Sequence, residues 1–248
     1  MPDEVGEAGL LPLIVVSSVP REPAYIHQTL ASLFMSDPLV HRTRVHVMVD
    51  SPDASYLADY AHHPNFSALP LTADEARRTA DYWVHRRCAH NYHRCLALPC
   101  DGYSGLCICE DDVVFCHGFL RELQKVIAEI EAKRYAKDYV LAGYTPYRFE
   151  PDGSQLDGRA YCRYRAADFY GNQCVYFPLR VLPKFAPWFY ERAVEQAEAP
   201  SDMVLKEYCL HSAELLACRR SLAQHIGRIT TGLGDFHTSP TFDGVSSV

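Results

Sequence analysis

The sequence predicts an α/β protein, an α/β/α sandwich around a mostly parallel central sheet. Three observations predict it. Leu10–Val19 (LLPLIVVSSV) and Tyr103–Cys109 are apolar on both faces, as strands buried inside a sheet must be. Strand-like and helix-like segments alternate through the first half of the chain. Polar residues recur where the strands end, at Ser17-Ser18, Asp50 and Glu110-Asp111-Asp112.

Each element follows from its residues. The first strand stops at Pro20-Arg-Glu-Pro23, and Pro23 suits the first turn of a helix expected from Ala24 to Met35. Thr43–Val49 alternates as a second strand and ends in the polar turn Asp50-Ser-Pro-Asp53. A short helix is expected over Ala54–Ala61 and a third strand over Phe66–Leu71. Ala73–Leu98 reads as one long helix, with Ala76, Ala80, Trp83, Val84, Arg87, Cys88, Asn91, Tyr92 and Cys95 on its inner face. After the central strand come a helix over His117–Lys133 and a strand over Tyr139–Tyr144. Thr145–Ala167 lacks a period and reads as a long excursion, of the length at which loops tend to carry function. A buried strand follows at Gly171–Pro178, then a proline-interrupted helix over Leu179–Glu198, a helix over Asp202–Leu216 and a short strand over Arg219–Gln224. No repeat or low-complexity linker divides the chain, so residues 1–248 are expected to form one domain.

Composition narrows the function. Of the 248 residues, 48% are hydrophobic and 22% charged, as in an ordinary globular protein. A net charge of −7 argues against a general nucleic-acid binder. No apolar stretch is long enough for a transmembrane span, and the acidic N-terminus lacks a signal peptide's positive region, so a cytoplasmic location is expected. Several of the ten cysteines lie in apolar runs, which suits buried thiols better than a disulfide framework. Cys88, His90, His93 and Cys95 have zinc-ligand chemistry, but on a helix they point in different directions.

The strand-end polar groups converge in one crevice if the sheet is parallel. Three adjacent carboxylates, Glu110, Asp111 and Asp112, repel one another unless solvated, capping or holding a cation; oxygen-rich sites suit Mg²⁺ or Mn²⁺. Arg21 has the fork geometry for a diphosphate or for a surface ion pair. Arg87 and Asn91 are polar positions on an inner helix face, fitted either to a ligand or to bridging elements.

The strand ending in Glu110-Asp-Asp resembles the acidic metal motif of GT-A glycosyltransferases. Ser17-Ser-Val-Pro-Arg-Glu22, Leu106-Cys-Ile-Cys-Glu-Asp-Asp-Val-Val114, Pro200-Ser-Asp-Met203 and Ser221-Leu-Ala-Gln-His-Ile-Gly227 are similar, in that order, to segments of the N-acetylglucosaminyltransferase IV-like group. More loosely, they are similar to segments of the transferases that add N-acetylgalactosamine to glycolipid anchors. The resemblance implies a donor half at about 10–135 and an acceptor half at about 136–248. It implies a UDP-sugar donor, UDP-GlcNAc, and a glycan acceptor on a surface polysaccharide, lipid-linked saccharide or glycoprotein. It implies that Asp112 and His225 bind Mn²⁺ (or Mg²⁺) and that Glu110 and Asp111 contact the donor; the strand-end groups Ser18, Arg21 and Asp50, with Arg87 and Asn91, are expected to serve the same donor. Asp202 is then the general base of an inverting transfer, or else a helix cap, with Glu207 and Glu198 as substitutes. Gly171, Asn172 and Gln173 are expected under the donor sugar. Tyr144–Tyr164 is the expected acceptor loop, and Trp188 stacks on sugar or simply packs. Two other classes compete: a nucleotidyltransferase, whose usual glycine-rich phosphate loop is absent after the first strand, and a non-catalytic glycan- or nucleotide-binding module.

Overall fold

The computed structural model describes residues 10–133, 138–146, 158–197, 199–229 and 236–243. In chain order its first half holds β1 (Leu13–Ser18), α1 (Ile26–Ser36), β2 (Val45–Val49), β3 (Phe66–Leu69), α2 (Ala73–Thr79), α3 (Val84–Leu96), β4 (Gly105–Glu110), β5 (Val113–Phe115) and α4 (Phe119–Ala132). The second half adds β6 (Asp138–Ala142), β7 (Tyr161–Arg163), β8 (Cys174–Pro178), α5 (Leu182–Phe189), α6 (Ser201–His211), β9 (Ala213–Cys218) and β10 (Ala223–His225).

Eight strands form one sheet in the order β3-β2-β1-β4-β8-β6-β9-β7. β1, β2, β3 and β4 pair in parallel. β8 runs against β4 and β6, while β6 and β9 pair in parallel and β7 closes the edge antiparallel to β9. Six strands therefore point one way, and only β7 and β8 oppose them. The carboxyl edge collects the ends of β1, β2 and β4 together with the beginning of β8.

Side chains alternate between two cores, as period two requires. Ile14, Val16, Cys107 and Cys109 face the layer that includes Leu30 and Leu33 of α1 and Phe119 and Ile130 of α4. Leu13, Val15, Leu106 and Ile108 face the layer that includes Tyr92 of α3, Phe185 of α5 and Leu205 of α6. Each fully buried Leu or Phe contributes roughly 1.5–3 kcal/mol relative to an exposed one. Outside the large sheet, β5 and β10 form an antiparallel ribbon that sets His225 opposite Val113, one residue after Asp112.

Several elements differ from expectation. The expected long helix is two, because Thr79–Trp83 turns away; α2 opens with a capping box between Thr72 and Glu75. Trp83, placed on its inner face, is 52% exposed. The segment at 54–61 is a 3₁₀ turn over Ser55–Tyr60. The helix expected to reach Leu216 stops at His211, and Ala213–Cys218 forms β9 instead: pairing with both β6 and β7 outweighs the helical propensity of Ala, Glu and Leu. The last strand begins at Ala223, so His225 lies within it and not beyond it. The excursion over 145–167 contains β7, while residues 147–157 lie outside the described residues. After α5 the chain continues as a π-helical turn, Tyr190–Glu195.

Cys107, Cys109 and Cys174 bring their sulfurs together in the core, at 3.9 Å and 3.7 Å for the two pairs centred on Cys109. Among the described residues, this is the group of three or more Cys, His, Asp or Glu whose ligand atoms gather within 4.8 Å. No described helix is long and apolar enough to cross a membrane.

Candidate active site at the carboxyl edge of the sheet

A cavity of about 380 Å³ opens at this edge. Ser18 and Arg21 reach it from the end of β1, Asp50 from β2, Asn91 from α3, and Glu110, Asp111 and Asp112 from the turn between β4 and β5. Gly171, Asn172 and Gln173 enter just before β8, Asp202 from the first turn of α6, and His225 from β10. Arg87 does not line it; its guanidinium reaches Asp50 Oδ2 at 3.0 Å from behind. Glu207 pairs with Arg192 away from the cavity, and Glu198 lies outside the described residues. Trp188 packs on Phe185 and Tyr208.

The acidic turn is held by α1. Thr29 donates its hydroxyl to the Asp111 carbonyl at 2.8 Å and accepts from the Val113 amide at 3.2 Å. Asp111 then turns inward. It accepts from the Ser18 hydroxyl at 2.9 Å and the Val19 amide at 3.1 Å, and it is ion-paired with Arg21. The Arg21 guanidinium also lies 2.9 Å from Asp112 Oδ2 and stacks over Tyr25. Burial opposes the charge on Arg21, yet Asp111 and Asp112 outweigh it and raise its pKa. Burial pushes the Asp111 carboxyl up to about 6 despite Arg21. It also raises Glu110 strongly, assisted by the charges of Asp112, Asp111 and Asp202. Asp112 goes the other way: burial works against its charge, but His225 and Arg21 hold it below the usual carboxylate range.

His225 has a defined orientation. Its Nδ1 lies 3.2 Å from the His237 carbonyl, which can only accept, so Nδ1 carries the hydrogen. Nε2 then faces Asp112 Oδ2 at 3.3 Å. A lone pair facing a carboxylate oxygen needs a proton or a metal ion between them. Asp112 Oδ1 is buried without a hydrogen-bond partner. Gly227 passes close by; a Cβ there would collide with the Asp112 carboxylate and come within 2.9 Å of His225 Nε2. These residues fit a divalent cation: a carboxylate, an imidazole oriented by a backbone carbonyl, and space kept by glycine.

The rest of the wall divides in two. Asn91 is engaged inside the protein: its amide nitrogen donates to Ser17 Oγ at 3.1 Å and to the Met48 carbonyl at 2.9 Å, and its oxygen accepts from Arg94. Other groups have unused capacity. Arg21 Nε, Asp50 Oδ1, Tyr92 Oη, Asp112 Oδ1, Asn172 Oδ1 and Gln173 Oε1 are buried, lie on residues that line the cavity, and have no partner. Buried polar atoms are rarely left so, and their concentration around one cavity marks a ligand's place. Asp202 accepts from the Met203 amide at 2.9 Å and the Gly171 amide at 3.3 Å, both backbone donors. Pro200, not Asp202, occupies the N-cap of α6.

Tyr92, Tyr170, Met203, Gly227, Phe236 and His237 also line the cavity and were not singled out as site residues by sequence. Gly227 has a signal in sequence, since it closes the segment Gln224-His225-Ile226-Gly227. Phe236 and His237 lie in a tail with no periodicity to read.

No protein-family model and no curated protein matches this sequence. Solved structures do. TarS from S. aureus aligns at 12% identity and a TM-score of 0.53, over 86% of this chain and 36% of that one. Its 1–349 fragment aligns at 13% and 0.55, over 88% and 61%. The galactosyltransferase LgtC, in complex with donor and acceptor sugar analogues, aligns at 12% and 0.50, over 82% and 72%. The chain thus spans little more than a third of TarS and about three fifths of its fragment. At such identities the likeness speaks for architecture, and the architecture is the GT-A fold: a mixed α/β sandwich on an eight-stranded sheet most of whose strands run one way.

Proposed function

We propose that the chain is a metal-dependent, inverting glycosyltransferase that moves a sugar from a UDP-sugar to a hydroxyl of a glycan acceptor. The sugar is GlcNAc on the resemblance to the N-acetylglucosaminyltransferase IV-like group. One observation carries the reading: at the carboxyl edge of a GT-A sheet, Asp112 and His225 face each other with an unpartnered carboxylate oxygen, beside a glycine that a side chain would displace.

Asp112 and His225 hold Mn²⁺ (or Mg²⁺), which when bound stabilises the charge developing on the departing diphosphate. Arg21 and Asp111 fix the acidic turn, and His225 with Arg21 favours the charged form of Asp112. Arg87 and Asn91 support the floor from behind, so that Asp50 presents its free oxygen to the nucleotide. The free amide oxygens of Asn172 and Gln173 accept from sugar hydroxyls. Asp202 takes the proton of the acceptor hydroxyl as its oxygen attacks the anomeric carbon opposite the diphosphate.

A thermal-shift series with UDP-GlcNAc, UDP-GalNAc, UDP-glucose and UDP-galactose, each with and without Mn²⁺, tests the reading. A ligand of the folded state at a hundredfold its Kd adds about 2.7 kcal/mol of stability. A Mn²⁺-dependent rise is expected, and Asp112→Ala should abolish it. No rise with any UDP-sugar would refute the reading.

A further inference from the structure

Four rings run along one wall of the cavity. Tyr170 meets His237 edge-on with centroids 4.9 Å apart, His237 lies 4.8 Å from His225, and His225 lies 5.5 Å from Phe236. The two histidines are buried, but the rings at either end are open: Tyr170 is 41% exposed and Phe236 43%. Met203, next to Asp202, is 45% exposed and also borders the cavity. Single exposed hydrophobics need no explanation, whereas three around the mouth of a carboxylate-floored cavity form a patch with a polar centre. The wall is anchored from below, because the Tyr144 hydroxyl lies 2.6 Å from His237 Nδ1.

The patch adjoins the group that takes the acceptor's proton. Tyr170 precedes Gly171, whose amide donates to Asp202 Oδ2, and Met203 follows Asp202 and donates to its other oxygen. Two apolar side chains therefore border the cavity beside Asp202, that of Met203, which holds it, and that of Tyr170, next to Gly171, which also holds it. A pyranose suits such a place: its axial C–H groups make an apolar face, and its rim is all hydroxyl. Aromatic faces take the first and a carboxylate takes the second.

We propose that Tyr170 and Phe236, with Met203, form an acceptor subsite for a pyranoside with a continuous apolar C–H face, one of whose hydroxyls is directed to Asp202. The subsite rests on the glycosyltransferase reading and adds the acceptor class to it: a ring sugar of β-gluco or β-N-acetylglucosamine configuration. A flexible polyol and the hydroxyl of a peptide serine present no such face. Gly171, with φ of 77°, holds the turn between the ring and the amides under the donor, so the two subsites meet at one residue.

The test separates the two ligands. UDP binding with Mn²⁺ is measured by calorimetry for the wild type, Tyr170→Ala, Tyr170→Phe and Phe236→Ala. Binding of methyl β-glucopyranoside, methyl β-N-acetylglucosaminide and sorbitol is measured by saturation-transfer NMR, with and without UDP and Mn²⁺. The wild type is expected to bind the glycosides and not sorbitol. Tyr170→Ala should weaken glycoside binding about tenfold, Phe236→Ala less, and Tyr170→Phe should restore it, all with UDP affinity within about twofold of wild type. If Tyr170→Ala does not fold, Tyr170→Leu takes its place, keeping apolar volume without a ring face. Equal glycoside binding by wild type and the ring-less variant overturns the subsite, as does a wild type that binds UDP but neither glycoside. Failure of the wild type to bind UDP is a separate result, and it counts against the glycosyltransferase reading itself.

Discussion

Two polar regions share the cavity and are built on opposite principles. Beneath the ends of β1 and β2, Asn91, Asp111 and Arg94 spend their hydrogen-bonding capacity on the protein, bridging strand ends to α3 and to one another. Around the start of β8 and the β5–β10 ribbon, Asp112, Asn172 and Gln173 each keep a buried oxygen unpartnered. Both regions are rich in the residue types that sequence reasoning marks as functional. What separates them is whether that capacity is already used: Asn91, Asp111 and Arg94 are finished supports, whereas Asp112, Asn172 and Gln173, joined at the strand ends by Asp50 Oδ1 and Arg21 Nε, are incomplete without a ligand.

Substitutions on the two sides should therefore fail differently. The largest effect is expected at Asp202, which sits between the classes because backbone amides already engage both its oxygens. Asp202→Asn should cut transfer roughly 10²–10⁴-fold while UDP-sugar affinity holds, measured as turnover against calorimetric binding. Normal turnover would move Asp202 to the finished side. Next is Asn91→Leu, which removes the amide donor to Ser17 Oγ and the Met48 carbonyl and one acceptor of Arg94. It should cost about 2–3 kcal/mol in urea unfolding, with no change in Mn²⁺-dependent ligand binding by the folded fraction. Retained stability with lost binding would erase the distinction between the two regions. Gly227→Ala should do the reverse, weakening Mn²⁺ binding about tenfold for a stability cost near 1 kcal/mol; manganese EPR titration and thermal melts read the two.

The smallest effect concerns His90, on α3 outside the cavity. Burial, with Arg78 and Arg94 nearby, lowers its pKa to about 4. The unfolded chain binds this proton near the ordinary 6.5 and the folded chain only near 4, so the group's contribution to stability is intact above 6.5 and falls on acidification toward 4. Between pH 6.5 and 5.5 the loss should be about 1 kcal/mol, absent in His90→Phe. Ligand affinity per folded molecule should not follow it.

Sequence legibility divided along similar lines. β1 and β4 were readable because a strand buried on both faces leaves an apolar run, and Asp50 and the acidic triplet because they stop such runs abruptly. The break between α2 and α3 was hidden, since Ala76, Ala80 and Trp83 continue a helical spacing that Trp83 does not use. β9 was hidden because Ala-Glu-Leu-Leu-Ala favours helix until two neighbouring strands claim it. Of the cavity, the groups that end a strand could be anticipated. Tyr170, Phe236 and His237 could not, because they reach the site through contacts distant in sequence, such as Tyr144 with His237.

The reversal of β8 has a consequence for how such a fold can change. Because β8 enters the sheet at the edge where β4 and β6 leave it, the chain between β6 and β8 begins and ends at the rim of the cavity. That stretch can be lengthened, shortened or exchanged without shifting the register of any strand in the large sheet except β7, which lies at its edge. The stretch carries Tyr170, Gly171, Asn172 and Gln173, whereas the acidic turn at Glu110–Asp112 and His225 lie outside it. A chimaera that receives this stretch from another GT-A protein, joined at Thr145 and Cys174, replaces Tyr170, Asn172 and Gln173 together, so on the proposed assignment both sugar preferences should change while Mn²⁺ binding at Asp112 and His225 holds.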